Sequence, residues 1–451
     1  MGAAGTLSTG GSSGSSGAFS TGGAAENPAI GGSSGAAGAA SGGLSGEGGR
    51  GGEGGGVTGG MTQAQSGEGG GGGAAGATTR WVGTWSAAPQ LTETENLPPA
   101  PGLSNNSLRQ IFYVSIGGTR LRVHLSNQYG SSPAVISGAR LARSTMGHTI
   151  DAATDRPLAF SGSPAVTIPA GGSVTSDELE FTLPAQSKVA LTMAFGSTPA
   201  EVTGHPGSRT TSYIAPGNVV SSVSFPSPVS TTHWYYATGI DVVAPAASRA
   251  LVTLGDSITD GRGSTVDGND RWPDNLSRRL RANAATAAVA VLNQAIGGNA
   301  VLGQGNGPMA ITRFERDVLN QAGVGWVIIL HGVNDIGTST SAAVVGELIG
   351  AYEQFVSAAR ARGIRAYGVP ILPFAGSQYD TVAHESARQE VNTWIRGQGH
   401  FDAIIDLDAA VRDPANPARL RAEYDSGDGL HLNPAGYQKM AEAIDLALFT
   451  D

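Results

Sequence analysis

The sequence predicts two folded parts of different class behind a polar arm: an all-β sandwich of the jelly-roll kind, then an α/β part on a parallel sheet. Three observations predict this. Of the 69 glycines of the 451-residue chain, 31 fall in its first 78 residues, so the average composition hides an arm that is unlike the body. From about 79 to 243 apolar residues alternate at period two between turn signals, the pattern of half-buried strands. After Ala244-Pro245 short, wholly apolar runs alternate with amphipathic stretches, the pattern of strand, helix, strand in a parallel sheet.

The arm, residues 1–78, is Gly, Ser, Ala and Thr with almost no large apolar residue. Such a segment buries too little surface to offset the entropy of ordering, and a flexible tether is expected. In the β part, 79–245, Leu121, Val123 and Leu125 share one strand face, as do Val189, Leu191, Met193 and Phe195. Gly117-Gly118, Pro169 to Gly172 and Pro216-Gly217 punctuate the runs. In the α/β part, 246–451, buried strands are expected at Ala250 to Leu254, Ala288 to Leu292, Trp326 to Leu330, Ile364 to Val369 and Ala403 to Leu407. Helices are expected near 272–284, 309–321, 341–362, 383–398 and 434–449, the last with Asn433 as N-cap and Pro434 at its first position.

A net charge of -9 gives a polyanion no reason to bind, which speaks against nucleic acid as partner. With no cysteine, disulfides, thiolate metal sites and a cysteine nucleophile are excluded. No apolar run reaches the ~18 to 20 residues of a membrane span, and no signal-peptide pattern opens the chain. The arm's composition suggests a secreted or cell-surface tethered protein.

Candidate chemistry gathers where strands end. Ala250 to Leu254 runs into Gly255-Asp256-Ser257, which puts a serine at the carboxyl edge of a strand, where open α/β sheets bind ligands. Asn293 to Asn299, with Gly297-Gly298, follows the second strand; Gly332-Val333-Asn334-Asp335 follows the third; Asp428-Gly429-Leu430-His431 precedes the last helix. A parallel sheet brings all four to one edge. A hydroxyl there becomes a nucleophile if a histidine takes its proton and amides hold the oxyanion.

These four blocks resemble, in order, those of the GDSL or SGNH hydrolases, over roughly 246–451. Upstream, Trp81 to Ala87 and Leu125 to Gly130 are similar to the bacterial subgroup with a preceding β-domain, among them arylesterases and acetylxylan-type carbohydrate esterases. The resemblance implies a three-layer, flavodoxin-like domain and an acyl-serine mechanism without cofactor or metal. It implies Ser257 as nucleophile, His431 as base, Asp428 as the group that orients the ring, and the amides of Ser257, Gly298 and the Asn334 side chain as oxyanion donors. Ala295 stands where the family often has glycine, and Gly429 and Leu432 depart from the subgroup's last block, which often has a bulkier second residue and a proline after the histidine.

Other readings stand beside these. Asp425 rivals Asp428; Asp335 reads as a helix cap; Asp256 and Asn299 read as loop-fixing residues, and His331 and His384 as structural. Arg109, Arg120 and Arg122 read as solvated strand-face arginines that could otherwise reach an acidic sugar. Trp81, Trp85, Trp234 and Tyr235 read as aromatic core or, alternatively, a sugar-stacking platform. The expected substrate is a short-chain acyl ester of a carbohydrate or of a small aryl or alkyl alcohol. The alternatives are an acyltransferase or lipase/lysophospholipase with the same triad, and a non-catalytic carbohydrate-binding surface protein. A phosphoesterase with Asp256, Asn334, Asp428 and His431 on a cation is a poorer fit, because it would not need Ser257.

Overall fold

A computed structural model describes residues 78–303 and 305–450, so the expected arm lies, but for Thr78, outside the described residues. The first half is antiparallel. One sheet runs Thr79–Ser86, Ala237–Pro245, Gly118–Ser126, Leu179–Leu183. A second runs Val229–Thr231, Ser212–Pro216, Asn106–Tyr113, Lys188–Phe195, Ala134–Met146 and is extended by short strands at its edge. The two face each other through one core in which the Trp85 ring lies 3.9 Å from Phe112 and 5.0 Å from Trp234. Trp85, Trp234 and Tyr235 are therefore core residues.

Alternation is only half of the story in this sheet. Lys188–Phe195 is buried on both faces, because the segments that include Ile150 and Tyr213 cover its outer side over Ala190. That cover corrects the expectation for Arg109, which is wholly buried and not solvated. Its guanidinium donates to Thr192 Oγ1 and to the carbonyls of His148, Ser222 and Val223, and stacks 4.3 Å over Phe225. Burial pulls its pKa down to about 10 against the field of Asp155. The covering segments present carbonyls that need a donor, and Arg109 is that donor. Arg120 and Arg122 stay partly exposed and pair with Glu178 and Asp241.

A small third sheet joins Trp234–Tyr235, Thr203–His205 and Gln90–Leu91. It sets the loops that follow these strands beside the parallel sheet.

That parallel sheet has the order Val289–Asn293, Arg249–Gly255, Val324–Leu330, Arg365–Gly368, Ala403–Ile404, which is 2-1-3-4-5 in chain order. Helices α1 (Ser257–Asp260), α2 (Trp272–Ala282), α3 (Ala310–Phe314), α4 (Val333–Thr338), α5 (Val344–Ala361), α6 (Val382–Ile395), α7 (Leu407–Val411) and α8 (Pro434–Glu442) connect and cover it. Between their ends its strands are mostly apolar because both faces are covered. The switch point lies between Arg249–Gly255 and Val324–Leu330: the chain goes first to Val289–Asn293 on one side of Arg249–Gly255 and then crosses to Val324–Leu330 on the other, and a crevice opens there at the carboxyl ends.

Three expected elements differ. The stretch 309–321 is α3 followed by a wider π turn, Glu315–Leu319. The last strand stops at Ile404, since the Asp406 carboxylate caps α7 at Ala409 N. The last helix ends at Glu442, and Asp445 starts a separate 3-10 turn, Leu446–Phe449. The apolar core is continuous from Val82 and Trp85 to Leu292, so the antiparallel and parallel parts share it.

Candidate active site

The strand Arg249–Gly255 delivers the chain into the crevice, and Asp256 turns it into α1 by accepting a hydrogen bond from Ile258 N at 3.0 Å. Ser257 is the first residue of that helix, so its amide has no partner within the helix. Its Oγ lies 2.7 Å from His431 Nε2. Across the ring, His431 Nδ1 lies 2.7 Å from Asp428 Oδ2, while Asp428 Oδ1 accepts from the His431 and Leu430 amides at 2.8 and 3.0 Å. With the ring proton on Nδ1 facing the carboxylate, Nε2 is left to accept from the serine hydroxyl.

Asp425 does not compete for this role, because its Oδ1 is spent on Gly427 N and Gly429 N inside the turn. Burial alone would raise the Asp428 pKa; the hydrogen bonds from His431 and Leu430 outweigh it and draw the group down to about 2. Burial, aided by the Arg262 and Arg209 charges, lowers the pKa of His431, against the pull of Asp428. The ring is thus neutral at neutral pH, the state that a base requires.

Opposite the ring, Gly298 turns with φ +72°, and a Cβ there would meet Asn306 Nδ2 at 2.9 Å. Among the described residues, no group of the protein accepts from the Gly298 or Ser257 amide. Asn334, in the first turn of α4, brings a side-chain amide to the same pocket. Its Nδ2 donates to Asn299 O at 2.7 Å and its Oδ1 accepts from Tyr379 Oη at 3.0 Å, which fixes how the amide faces.

The floor is a polar lattice. Asn299 Oδ1 accepts from Arg313 at 2.9 and 3.1 Å and lies 3.2 Å from His331 Nε2. Asp335 does not cap its helix; its carboxylate accepts from Val301 N, Leu302 N and Gly303 N and so holds the loop behind Asn299. Burial pushes the Asp256 pKa up to about 7, with the carboxylates of Asp335 and Asp260 adding to it and the Ile258 amide opposing it. His384 faces the carbonyls of Tyr379 and Ser339 and pins the Tyr379 loop.

A buried pair joins this floor to the antiparallel part. Asp260 Oδ2 accepts from Gly297 N at 2.9 Å, and Asp260 Oδ1 lies 2.9 Å from His205 Nε2. His205 Nδ1 in turn donates to Ala88 O. The close approach needs Gly207, where a Cβ would sit 1.7 Å from Asp260 Oδ2. Among the described residues no group of three or more His, Asp or Glu side chains converges as a metal site would require.

The structure brings Ser257, His431, Asp428, Gly298 and Asn334 together around a pocket of about 360 Å³; all but Asp428, which stands behind the His431 ring, line it. Sequence reasoning missed Tyr379, His205, Asp260, Arg209 and Arg262. Only Arg262 and Asp260 carried a signal, by flanking the Gly261 turn next to Ser257.

Residues 253–439 match the model of the GDSL-like lipase/acylhydrolase family. This part of the chain is a GDSL-like hydrolase domain. No curated protein sequence matches the chain. Among solved structures, a GDSL-like lipase from Bacteroides thetaiotaomicron is similar at 20% identity and a TM-score of 0.34, over 44% of this chain and 87% of that one. A lipase/acylhydrolase from Enterococcus faecalis gives 20% and 0.35, over 45% and 95%. An acetylxylan esterase from Geobacillus stearothermophilus gives 20% and 0.33, over 43% and 91%. The GDSL domain is that of an ester hydrolase, and its matched segment contains Ser257, Gly298, Asn334, Asp428 and His431.

Proposed function

We propose that the protein hydrolyses short acyl esters, of the acetyl type, on carbohydrates or small aryl and alkyl alcohols. Ser257 Oγ attacks the acyl carbon while His431 Nε2 takes its proton, and Asp428 holds the imidazolium that forms. The carbonyl oxygen becomes an oxyanion within reach of the Ser257 and Gly298 amides and the Asn334 side chain. The C–O bond to the alcohol breaks, His431 returns the proton to the leaving alkoxide, and a water activated by the same ring releases the acid from the acyl-serine. The observation that carries this reading is the 2.7 Å contact of Ser257 Oγ with a ring whose far nitrogen is 2.7 Å from Asp428.

A pocket lined by Gln90, Glu93, Asn96, Arg209, Arg262 and Gln378 has little apolar wall for a long acyl chain, which supports a short one. We also propose export and surface tethering, on the arm's composition; fractionation of producing cells checks it. Hydrolysis of p-nitrophenyl acetate, butyrate and octanoate, with chelator present, tests the mechanism. Acetate should be preferred, and Ser257→Ala should lose at least about a thousandfold in kcat. Equal rates for the two proteins would sink the proposal.

A further inference from the structure

Two guanidiniums, of Arg209 and Arg262, line the pocket above Ser257 without a partner in direct contact. Among the described residues, neither the Arg209 nor the Arg262 guanidinium takes part in a hydrogen bond or ion pair. The Nε of Arg209 is buried and without an acceptor. The arginines that line the other cavities or lie in the core are paired. In a second cavity of about 330 Å³, Arg122 and Arg316 face Asp241 and Asp317; deeper in the chain, Arg109, Arg313 and Arg388 are fully bonded. A buried donor left unpaired costs free energy that a ligand's acceptor can return.

Both arginines are held in place. Arg209 sits at φ +50°, a left-handed conformation that a non-glycine residue keeps only under constraint. The constraint is Asp267: its amide donates to Arg209 O at 2.9 Å, and its carboxylate accepts from Thr211 N at 2.7 Å and Thr211 Oγ1 at 2.6 Å. Arg262 N donates to Ser257 O at 2.9 Å, and Arg262 O accepts from Tyr437 Oη at 2.5 Å. One residue from each half of the chain is thus clamped beside the nucleophile. That both charges lower the His431 pKa agrees with their nearness to the ring.

The charge count of the wall favours a monoanion. Against the two guanidiniums stands one carboxylate, Glu93, whose oxygens are taken by Gln90 Nε2 and Asn96 Nδ2. His233 lies on Pro206 O and His431 on Asp428. A single positive charge remains, offered through planar forks that suit a planar carboxylate.

We infer that the substrate is an ester that itself bears a carboxylate, which Arg209 and Arg262 grip while Ser257 attacks the acyl carbon; an O-acylated uronic acid has this chemistry. The inference rests on the Ser257 mechanism proposed above. Four substrates test it: an O-acetylated uronic acid, the neutral O-acetylated hexose of the same configuration, and the sulfated and phosphorylated counterparts of that hexose. The wild type should favour the uronate over the neutral ester by about tenfold or more in kcat/KM. Arg209→Gln and Arg262→Gln should each reduce that ratio severalfold, mainly through KM. On the wild type alone, raising salt from about 20 mM to about 0.5 M should lower kcat/KM for the uronate far more than for the neutral ester. Equal rates on uronate and neutral esters, preference for sulfate or phosphate, or variants that lose both esters in proportion would overturn the inference. If Ser257→Ala still cleaved the neutral acetate, the mechanism itself would have failed. If that variant were inactive while the two esters stayed equal, only the carboxylate assignment would fall.

Discussion

Removing the Tyr379 hydroxyl tests whether Asn334 works as an aimed donor. Tyr379 Oη donates to Asn334 Oδ1 at 3.0 Å, and Asn334 Nδ2 is 2.7 Å from Asn299 O. These two contacts set the direction of the amide. Partial burial raises the Tyr379 pKa, so the hydroxyl keeps its proton throughout the working range. Tyr379→Phe leaves the ring in place and costs one hydrogen bond, about 1 kcal/mol, so kcat should fall about three- to tenfold. The ceiling is loss of the donor itself, about 3 to 4 kcal/mol, and Asn334→Ala should reach a hundred- to a thousandfold loss, roughly. Because the donor matters most to the oxyanion, KM should hardly move in either variant. The assay is a double-mutant cycle on p-nitrophenyl acetate. In the Asn334→Ala background, Tyr379→Phe should cost nothing further, since the amide it orients is gone. Additive losses, or an effect confined to KM, would refute the positioning role.

Four further outcomes are expected. The kcat/KM profile should rise with pH along a one-proton limb whose midpoint lies below the ordinary histidine value, because burial, Arg262 and Arg209 disfavour imidazolium, and Arg262→Gln should move that midpoint upward. Asp256 titrates near 7 in the folded chain against about 3.9 unfolded. The stability that its retained proton supplies is present at low pH and lost as pH rises through about 7; Asp256→Asn, which keeps the cap, should flatten that slope in thermal melts. Asp260→Ala breaks a buried pair and frees Gly297 N, so denaturant unfolding should show a loss of about 3 to 5 kcal/mol. Its kcat should fall as well, and a folded variant with unchanged kcat would show that the anchor does not reach the oxyanion donors. Gly298→Ala forces a side chain to φ +72°, a strain of about 1 to 2 kcal/mol, and should lower kcat by about tenfold or more with little change in the melting curve.

The strands and most helices of the parallel part were legible because each signal is local. A strand buried on both faces is one apolar run, and a covering helix shows its stripe within a few turns. The misses came where a partner distant in sequence decides. Arg109 reads as a strand-face arginine until the carbonyls of His148, Ser222 and Val223 are folded over it. Asp335 follows Asn334 at a helix start and reads as a cap, yet its carboxylate serves amides more than 30 residues away. The break of the 309–321 helix into a π turn has no marker in its residue types. The motif blocks pointed to one strand edge, and the structure sets Ser257, His431, Asp428, Gly298 and Asn334 there. Tyr379 and His205 belong to no motif, and their roles arise from loops that meet only in the fold.

This division separates chemistry from selection. The groups placed to break the ester lie on the ends of the parallel strands and on the turn before α8, where backbone geometry holds them. Much of the wall that would meet the rest of a substrate comes from before residue 246: Gln90, Glu93, Asn96, Arg209 and His233 lie in or beside the small three-stranded sheet. That sheet is bound to the catalytic floor through His205 and Asp260, and Thr211, beside the Arg209 loop, bonds Asp267 in the segment after α1. A substitution in the antiparallel part can therefore act in two ways. On the substrate assignment proposed above, change at Arg209 or Glu93 should alter which ester is held. Change at His205, which reaches Gly297 N through Asp260, should act on every ester alike.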